Sequence, residues 1–319
     1  MSDQANGKHS ASAGGHDGGA QHDIHVGRIA LPLRRARLAD RDDPSSGRAA
    51  FWIEPTQRNH VELLGYLVQD SAAVLFTHLH DVVREHAAEL LTRQQVHQLL
   101  DHLRQTSPKV VDELIPGLLK PAQVHQVLEN LLCERVPIRD LETILETLAD
   151  YAEHTQNSVL LAEYVRSALA RTICQRLRDE QRVLRVLTLD PDLEDVIAAG
   201  VDFSDTGLIV KLSPPVIDAV RQELSEAIAA FLAPPPGPRF GRGENRAQPV
   251  VLATTSAIRI GLRHITSISL PRMMILSLND ISRDTHVDAV GQVGFHRLTE
   301  LAASRGVRVG KETWVKSEV

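Results

Sequence analysis

Residues 92–178 carry a run of apolar helical stripes, each announced by a start signal, and this run limits what the chain can fold into. "TRQQ" (92–95) has the form of a capping box, in which Thr92 accepts from a free backbone N–H and Gln95 reaches back. "SPK" (107–109) puts Ser107 at an N-cap and Pro108 at the first helical position, where its missing N–H costs nothing. Pro121 repeats that device. Leu141, Ile144, Leu145 and Leu148 form one stripe, and "SVLLAEYVRSALARTICQRL" (158–177) reads as a further amphipathic helix. Stripes of this kind must be buried on one another or on a sheet.

The flanks differ in texture. Residues 1–23 are rich in Gly, Ser, Ala and His and have no apolar period, which predicts disorder. Ile24–Leu33 allows one short strand, followed by mixed charges and a Pro-Ser-Ser-Gly turn, so 1–47 is expected to be a poorly ordered leader. Order should begin near 49, with a strand at Phe51–Ile53, a helix over 55–64 ended by Gly65, and an extended piece at Tyr66–Val68. Asp70 then caps a long helix whose apolar face (Val74, Leu75, Leu79, Val82, Val83, Leu90) is expected to meet a core.

Beyond 180, "RVLRVLTL" and "GLIVKL" read as strands, "PDLEDVI" and 213–232 as helices, and 233–248 as a flexible Pro/Gly loop. "PVVLAT", a helix over 255–264, "RMMILSL" and "HVDAVGQVGF" complete a small mixed sheet covered by helices. The fold class is therefore α+β and helix-rich. A helical subdomain (92–179) is followed by an α/β subdomain (180–295) and a C-terminal extension (296–319).

Charge and motifs exclude several functions. The 35 basic and 41 acidic residues leave −6, and aromatic content is 3%, so neither bulk attraction to nucleic acid nor base stacking is expected. Cys133 and Cys174 read as small core residues of a reducing compartment. No signal peptide and no run of ~18 apolar residues is visible, which predicts a soluble, cytoplasmic chain.

His9, His16, His22 and His25 lie in the tail, and His78, His80, His86, His97 and His102 lack metal-ligand spacing, so no metal site is expected. Phosphate-loop, nucleophile-elbow and dinucleotide motifs are missing, and "GRGENR" (241–246) lacks a strand–helix context. Pairs such as Asp81/Glu85 and Glu142/Glu146 are ordinary solvated helix faces. Arg34, Arg35, Arg37 and Arg41, and Arg239, Arg242 and Arg246, sit among acids or in a linker and read as solvated.

"RVPIRDLETILETLADYA" (135–152) places charge and a helix breaker before an apolar stripe. Asp140 suits an N-cap, Glu142 the positive end of the helix, and Pro137 the entry turn. Arg135 and Arg139 are expected to pair with acids such as Glu134 or Asp140, or with a neighbouring helix, making the stretch a joint between helices.

The same residues, within "LLCERVPIRDLETILETLADYA" (131–152), resemble the signature of the bacterial type III export-gate family, FHIPEP. The resemblance continues in order through "AAFWIEPTQRNHVELLGYLVQDSAAVLFTHLHDVVREHAAELLTRQQVHQLLD" (49–101), "SPKVVDELIPGLL" (107–119), "LAEYVRSALARTI" (161–173), "VLTLDPDLEDVI" (186–197), "PVVLATTSAIR" (249–259) and "MMILSLNDISRDTHVDAVGQV" (273–293). It implies a protein-docking platform below a secretion channel. Such a platform assembles into rings and receives export chaperones or substrates, without enzymatic activity or cofactor.

By that resemblance 48–91 is the remnant of a first cytosolic subdomain, and the membrane half and inserted second subdomain have no counterpart, so a truncated paralogue or split-gene product is expected. Localisation would be cytoplasmic, at the inner face of the inner membrane through partners. Tyr66 and Thr77 match positions of the family's chaperone-docking dimple; Arg135, Pro137, Arg139 and Asp140 belong to its structural signature. "EYVRSALAR" and "THVDAVGQV" lean towards the injectisome branch over the flagellar one. A nucleic-acid-binding regulator built on 92–178 is the alternative, although no basic recognition helix is evident; a remnant without function is another.

Overall fold

A computed structural model describes residues 22–25, 40–42, 49–64, 66–204, 207–232, 249–271 and 273–299. The described residues fall into two compact units, with the boundary between Val82 and Val83.

The first unit contains β1 (His22–His25), β2 (Asp40–Asp42), β3 (Ala49–Ile53), a 3-10 turn at Pro55–Gln57, α1 (Arg58–Leu63), β4 (Leu67–Asp70) and most of α2 (Ser71–Glu85). Its sheet has the order β2-β3-β1-β4 and is antiparallel throughout. β1 is central, with His22 opposite both Ile53 and Asp70. Two strands thus arise within the segment expected to be a poorly ordered leader. The expected strand at Ile24–Leu33 begins two residues earlier, at His22, and its part beyond His25 lies outside the described residues.

Ile53, Val61, Tyr66 and Val68 form a small core. Asp70 caps α2 as expected, its Oδ1 accepting from Ala73 N at 2.6 Å. The apolar face of α2 is not buried as expected. Val74 is buried, but Leu75 (63% exposed), Phe76 (69%), Leu79 (54%) and Val82 (39%) face outward. The half-buried residues on the opposite side include His78 and Asp81. A core of this size has room for little of the helix.

The second unit begins with α3 (Ala87–Leu90), α4 (Arg93–Thr106), α5 (Pro108–Leu114), α6 (Pro121–Cys133), α7 (Leu141–Ala152), α8 (Ser158–Ala168) and α9 (Ala170–Leu177). The Thr92 capping box forms, with Gln95 N at 3.3 Å from Thr92 Oγ1 and Thr92 N at 2.7 Å from Gln95 Oε1. Ser107 precedes α5 but does not cap it; its hydroxyl donates to Glu142 Oε1 at 2.6 Å. The helix expected over 158–177 breaks at Leu169 into α8 and α9.

The chain continues through β5 (Val183–Leu189), α10 (Pro191–Ala199), β6 (Val201–Ser204), β7 (Gly207–Val210), α11 (Pro214–Leu232), β8 (Val250–Ala253), α12 (Ser256–Thr266), β9 (Met274–Ser277), a 3-10 turn (Leu278–Asp280) and β10 (His286–Val293). The sheet β10-β5-β8-β9 is parallel in every pairing. β6 and β7 form a separate antiparallel hairpin. Parallel and antiparallel pairings both occur, and the class is α+β as the periodicity predicts.

The parallel sheet is covered on both faces, which explains why β8 and β9 are continuous apolar runs. Leu184, Val186, Val250, Leu252 and Leu276 pack with the core of α4–α9. Leu187, Leu189, Val251, Ala253 and Ile275 pack with α10, α11 and α12. The helical part therefore shares one apolar core with one face of the sheet, and a second core fills the other face. Cys174 is fully buried as expected, whereas Cys133 is exposed at the end of α6.

Candidate functional site

The signature stretch opens with the end of α6. Arg135 N donates to Leu132 O at 2.8 Å and Val136 N to Leu131 O at 2.9 Å. These two bonds, with Arg135 at φ 59°, are a Schellman ending carrying arginine where glycine is usual. Val136 is 2% exposed and supplies the accompanying apolar contact. Two further carbonyls at this end are satisfied from other helices: Arg176 Nη1 donates to Arg135 O at 2.9 Å, and Arg263 Nη2 to Cys133 O at 3.0 Å.

After Pro137, Asp140 caps α7 by accepting from Thr143 N at 3.3 Å, and Glu142 lies in the first turn. Arg139 is exposed. The helix-joint reading of the stretch agrees with this geometry, but Glu134 departs from it. Glu134 points inward, away from the expected local pairing, towards Arg166 of α8 and Arg259 of α12.

Arg259 Nη1 lies 2.5 Å from Glu134 Oε2, and its Nε lies 2.8 Å from Glu163 Oε2. Its Nη2 makes a further short bond to Glu163 Oε1. Arg166 Nη1 lies 3.0 Å from Glu134 Oε2, and its Nη2 3.1 Å from Asp280 Oδ2. Ser277 N also donates to Asp280 Oδ2, at 2.8 Å. Both guanidiniums are about 1% exposed, so the cluster lies within the protein.

It ties α6 and α8 to α12 and the turn after β9. Burial works to raise the Glu134 carboxyl, but the Arg259 and Arg166 charges outweigh it and hold the group below its ordinary value. For Glu163 burial wins, and its carboxyl is held above the ordinary range despite the same two arginines. Among the described residues Arg166 Nε has no hydrogen-bond partner and only a long ion-pair contact, 3.9 Å, to Glu163 Oε1, so the cluster is incompletely satisfied.

Glu163, Arg166, Arg259 and Asp280 escape sequence reasoning because the cluster joins residues up to 125 positions apart. The one local signal is a charge inside an apolar helical stripe, as in "LLAEYVRSAL" and "TSAIRIGL".

The dimple positions lie in the first unit. Tyr66 is 9% exposed and belongs to its small core. Thr77 is exposed on α2, with its Oγ1 donating to Ala73 O at 2.8 Å. Of the tail histidines, His22 and His25 lie in β1; His9 and His16 lie outside the described residues, as do Arg34, Arg35, Arg37, Arg239, Arg242 and Arg246. Arg41 lies in β2. Among the described residues no three His, Cys, Asp or Glu side chains gather to hold a metal ion, and no helix is long and apolar enough to cross a membrane.

These features define a helix-rich scaffold with a parallel-sheet core and an internal charge lock. The FHIPEP family model matches residues 22–286, and the chain belongs to that family. It is 34% identical over 252 residues to the flagellar biosynthesis protein FlhA of Bacillus subtilis (strain 168), covering 79% of this chain and 35% of that protein. The chain thus spans about a third of the length of the curated relatives it matches.

The structure of the Chlamydia pneumoniae CdsV protein superposes with TM-score 0.72 at 22% identity, covering 86% of this chain and 74% of that one. The nonameric EPEC SctV-C does so with TM-score 0.65 at 22% identity, covering 86% and 78%. At that identity these two likenesses establish the fold alone.

Proposed function

We propose that the chain is a non-enzymatic protein-docking component of a bacterial type III export apparatus. It assembles with copies of itself or with other gate subunits, and receives export chaperones or substrates on the cytoplasmic side of the inner membrane. The observation that carries this reading is the 34% identity to a flagellar FlhA across 79% of the chain. The outward apolar face of α2 supports a binding scaffold over an enzyme, because large exposed apolar side chains in one stripe are what protein contacts use. The nonameric assembly named for SctV-C supports the ring component of the proposal.

Identity of 34% to a flagellar FlhA supports the flagellar side, against the leaning of "EYVRSALAR" and "THVDAVGQV". In the docking role, Thr77 is available to a partner directly, while the buried Tyr66 contributes by holding the small core.

Light scattering across a concentration series, with affinity capture from cells expressing the export apparatus, tests the proposal. Concentration-dependent assembly or capture of export proteins is expected. A monomer at every concentration that captures none of them would sink it.

A further inference from the structure

The signature turn forms one wall of a small open cleft. The floor is apolar: Val136, Pro137, Ile173, Leu177 and Met274. The rim is cationic, from Arg84 at the end of α2, Arg135 in the turn and Arg176 on α9. None of the cleft's described lining side chains is acidic, although the whole chain carries −6. The bond from Arg176 Nη1 to Arg135 O fixes two of the three rim residues relative to each other.

Arg135 also occupies a left-handed backbone conformation that disfavours an L side chain. Glycine would meet the Schellman geometry without that cost, so the arginine stands here against local backbone preference.

We propose that this cleft binds a peptide segment of a protein partner in which an apolar side chain is flanked by carboxylates. The apolar residue sits on Val136, Ile173 and Met274, and the carboxylates meet Arg84, Arg135 and Arg176. Guanidiniums suit carboxylates because their planar fork can donate twice to one group. The apolar floor selects a peptide over a bare anion such as phosphate, which has nothing to place there. The inference rests on the docking function proposed above and gives that function a site and a ligand chemistry.

The test uses the full chain and a synthetic array of labelled hexapeptides alternating Leu or Val with Glu or Asp, beside the same peptides with Gln or Asn. Acidic members are expected to bind and their amide counterparts to bind at least tenfold more weakly. Arg84→Glu, an exposed position, and Arg176→Gln should each weaken binding about tenfold or more, Arg176→Lys less, and Arg58→Gln in the first unit not at all. Circular dichroism confirms that each variant is folded.

An array without binders, equal binding of acid and amide peptides, or binding unchanged in both Arg84→Glu and Arg176→Gln overturns the site. Displacement of the peptide by inorganic phosphate at equal concentration overturns it as well. Failure of the array while wild-type capture of export proteins persists removes this site and leaves the docking function standing. Array binding without any capture removes the export function and leaves the site.

Discussion

Arg182 and Arg135 both hold positive φ, at 63° and 59°, yet their surroundings differ. Arg182 is 62% exposed and its ion-pair contact, to Asp284, is long at 3.8 Å. The left-handed backbone costs an L residue roughly 1–2 kcal/mol, and glycine's extra freedom in the unfolded chain returns about 0.5–1 of that. Arg182→Gly should therefore leave stability unchanged or raise it by up to about 1 kcal/mol in urea unfolding. Arg182→Val should lower it by about 1 kcal/mol or more, because a β-branched residue fits that conformation worst.

Single-residue roles were legible where chemistry is local. Asp70, Thr92 and Asp140 cap the helices their spacing indicates. Ser107 was misread because Glu142, 35 residues away, competes for its hydroxyl. Cys133 was misread because the helix ends there and turns its thiol outward.

At the scale of elements, two caps of similar sequence appearance carry different loads. Asp140 makes one exposed bond of 3.3 Å to Thr143 N. Asn157 is 4% exposed; its Oδ1 accepts from Val159 N at 2.9 Å while its Nδ2 donates to Ser204 O at 2.7 Å. It therefore starts α8 and anchors the β6–β7 hairpin with one side chain.

Asp140→Ala should cost about 1 kcal/mol, the ordinary value of a cap. Asn157→Ala should cost about 2–4 kcal/mol, since the part-buried bond to Ser204 O is lost along with the cap. Paired denaturant curves check the ranking, and equal costs would contradict it. Periodicity located the helices and the parallel strands well, but it could not say which side of α2 is covered. That depends on the first unit's small core, the cluster of Ile53, Val61, Tyr66 and Val68.

For the second unit as a whole, the ion cluster and the shared apolar core make the helical and α/β parts one cooperative body. Arg259→Met removes the guanidinium that Glu134 and Glu163 share and leaves both carboxylates under-compensated. Breaking one partner of a buried pair costs about 3–5 kcal/mol, so unfolding should shift to much lower denaturant.

Acid acts on the same body through groups of opposite sign. Asp284 is held down to about 2 by the hydrogen bond from Ser282 and by Arg178. A lowered carboxyl contributes stability that is fully present above its unfolded value, about 3.9, and is lost as pH falls through the folded value. Glu134 works in the same direction through Arg259 and Arg166. Glu163, raised by burial, works the other way: the stability tied to its protonated form is present at low pH and fades as pH rises.

The acid limb of the stability curve is thus a difference between these groups, and Asp284 is the one that can be removed without disturbing the buried cluster. Asp284→Asn should flatten the loss of stability between about pH 4 and pH 2 while leaving the curve near neutrality parallel to wild type. Denaturant midpoints taken across that window decide it, and an unchanged slope would show that the Arg178–Asp284 contact does not hold in solution.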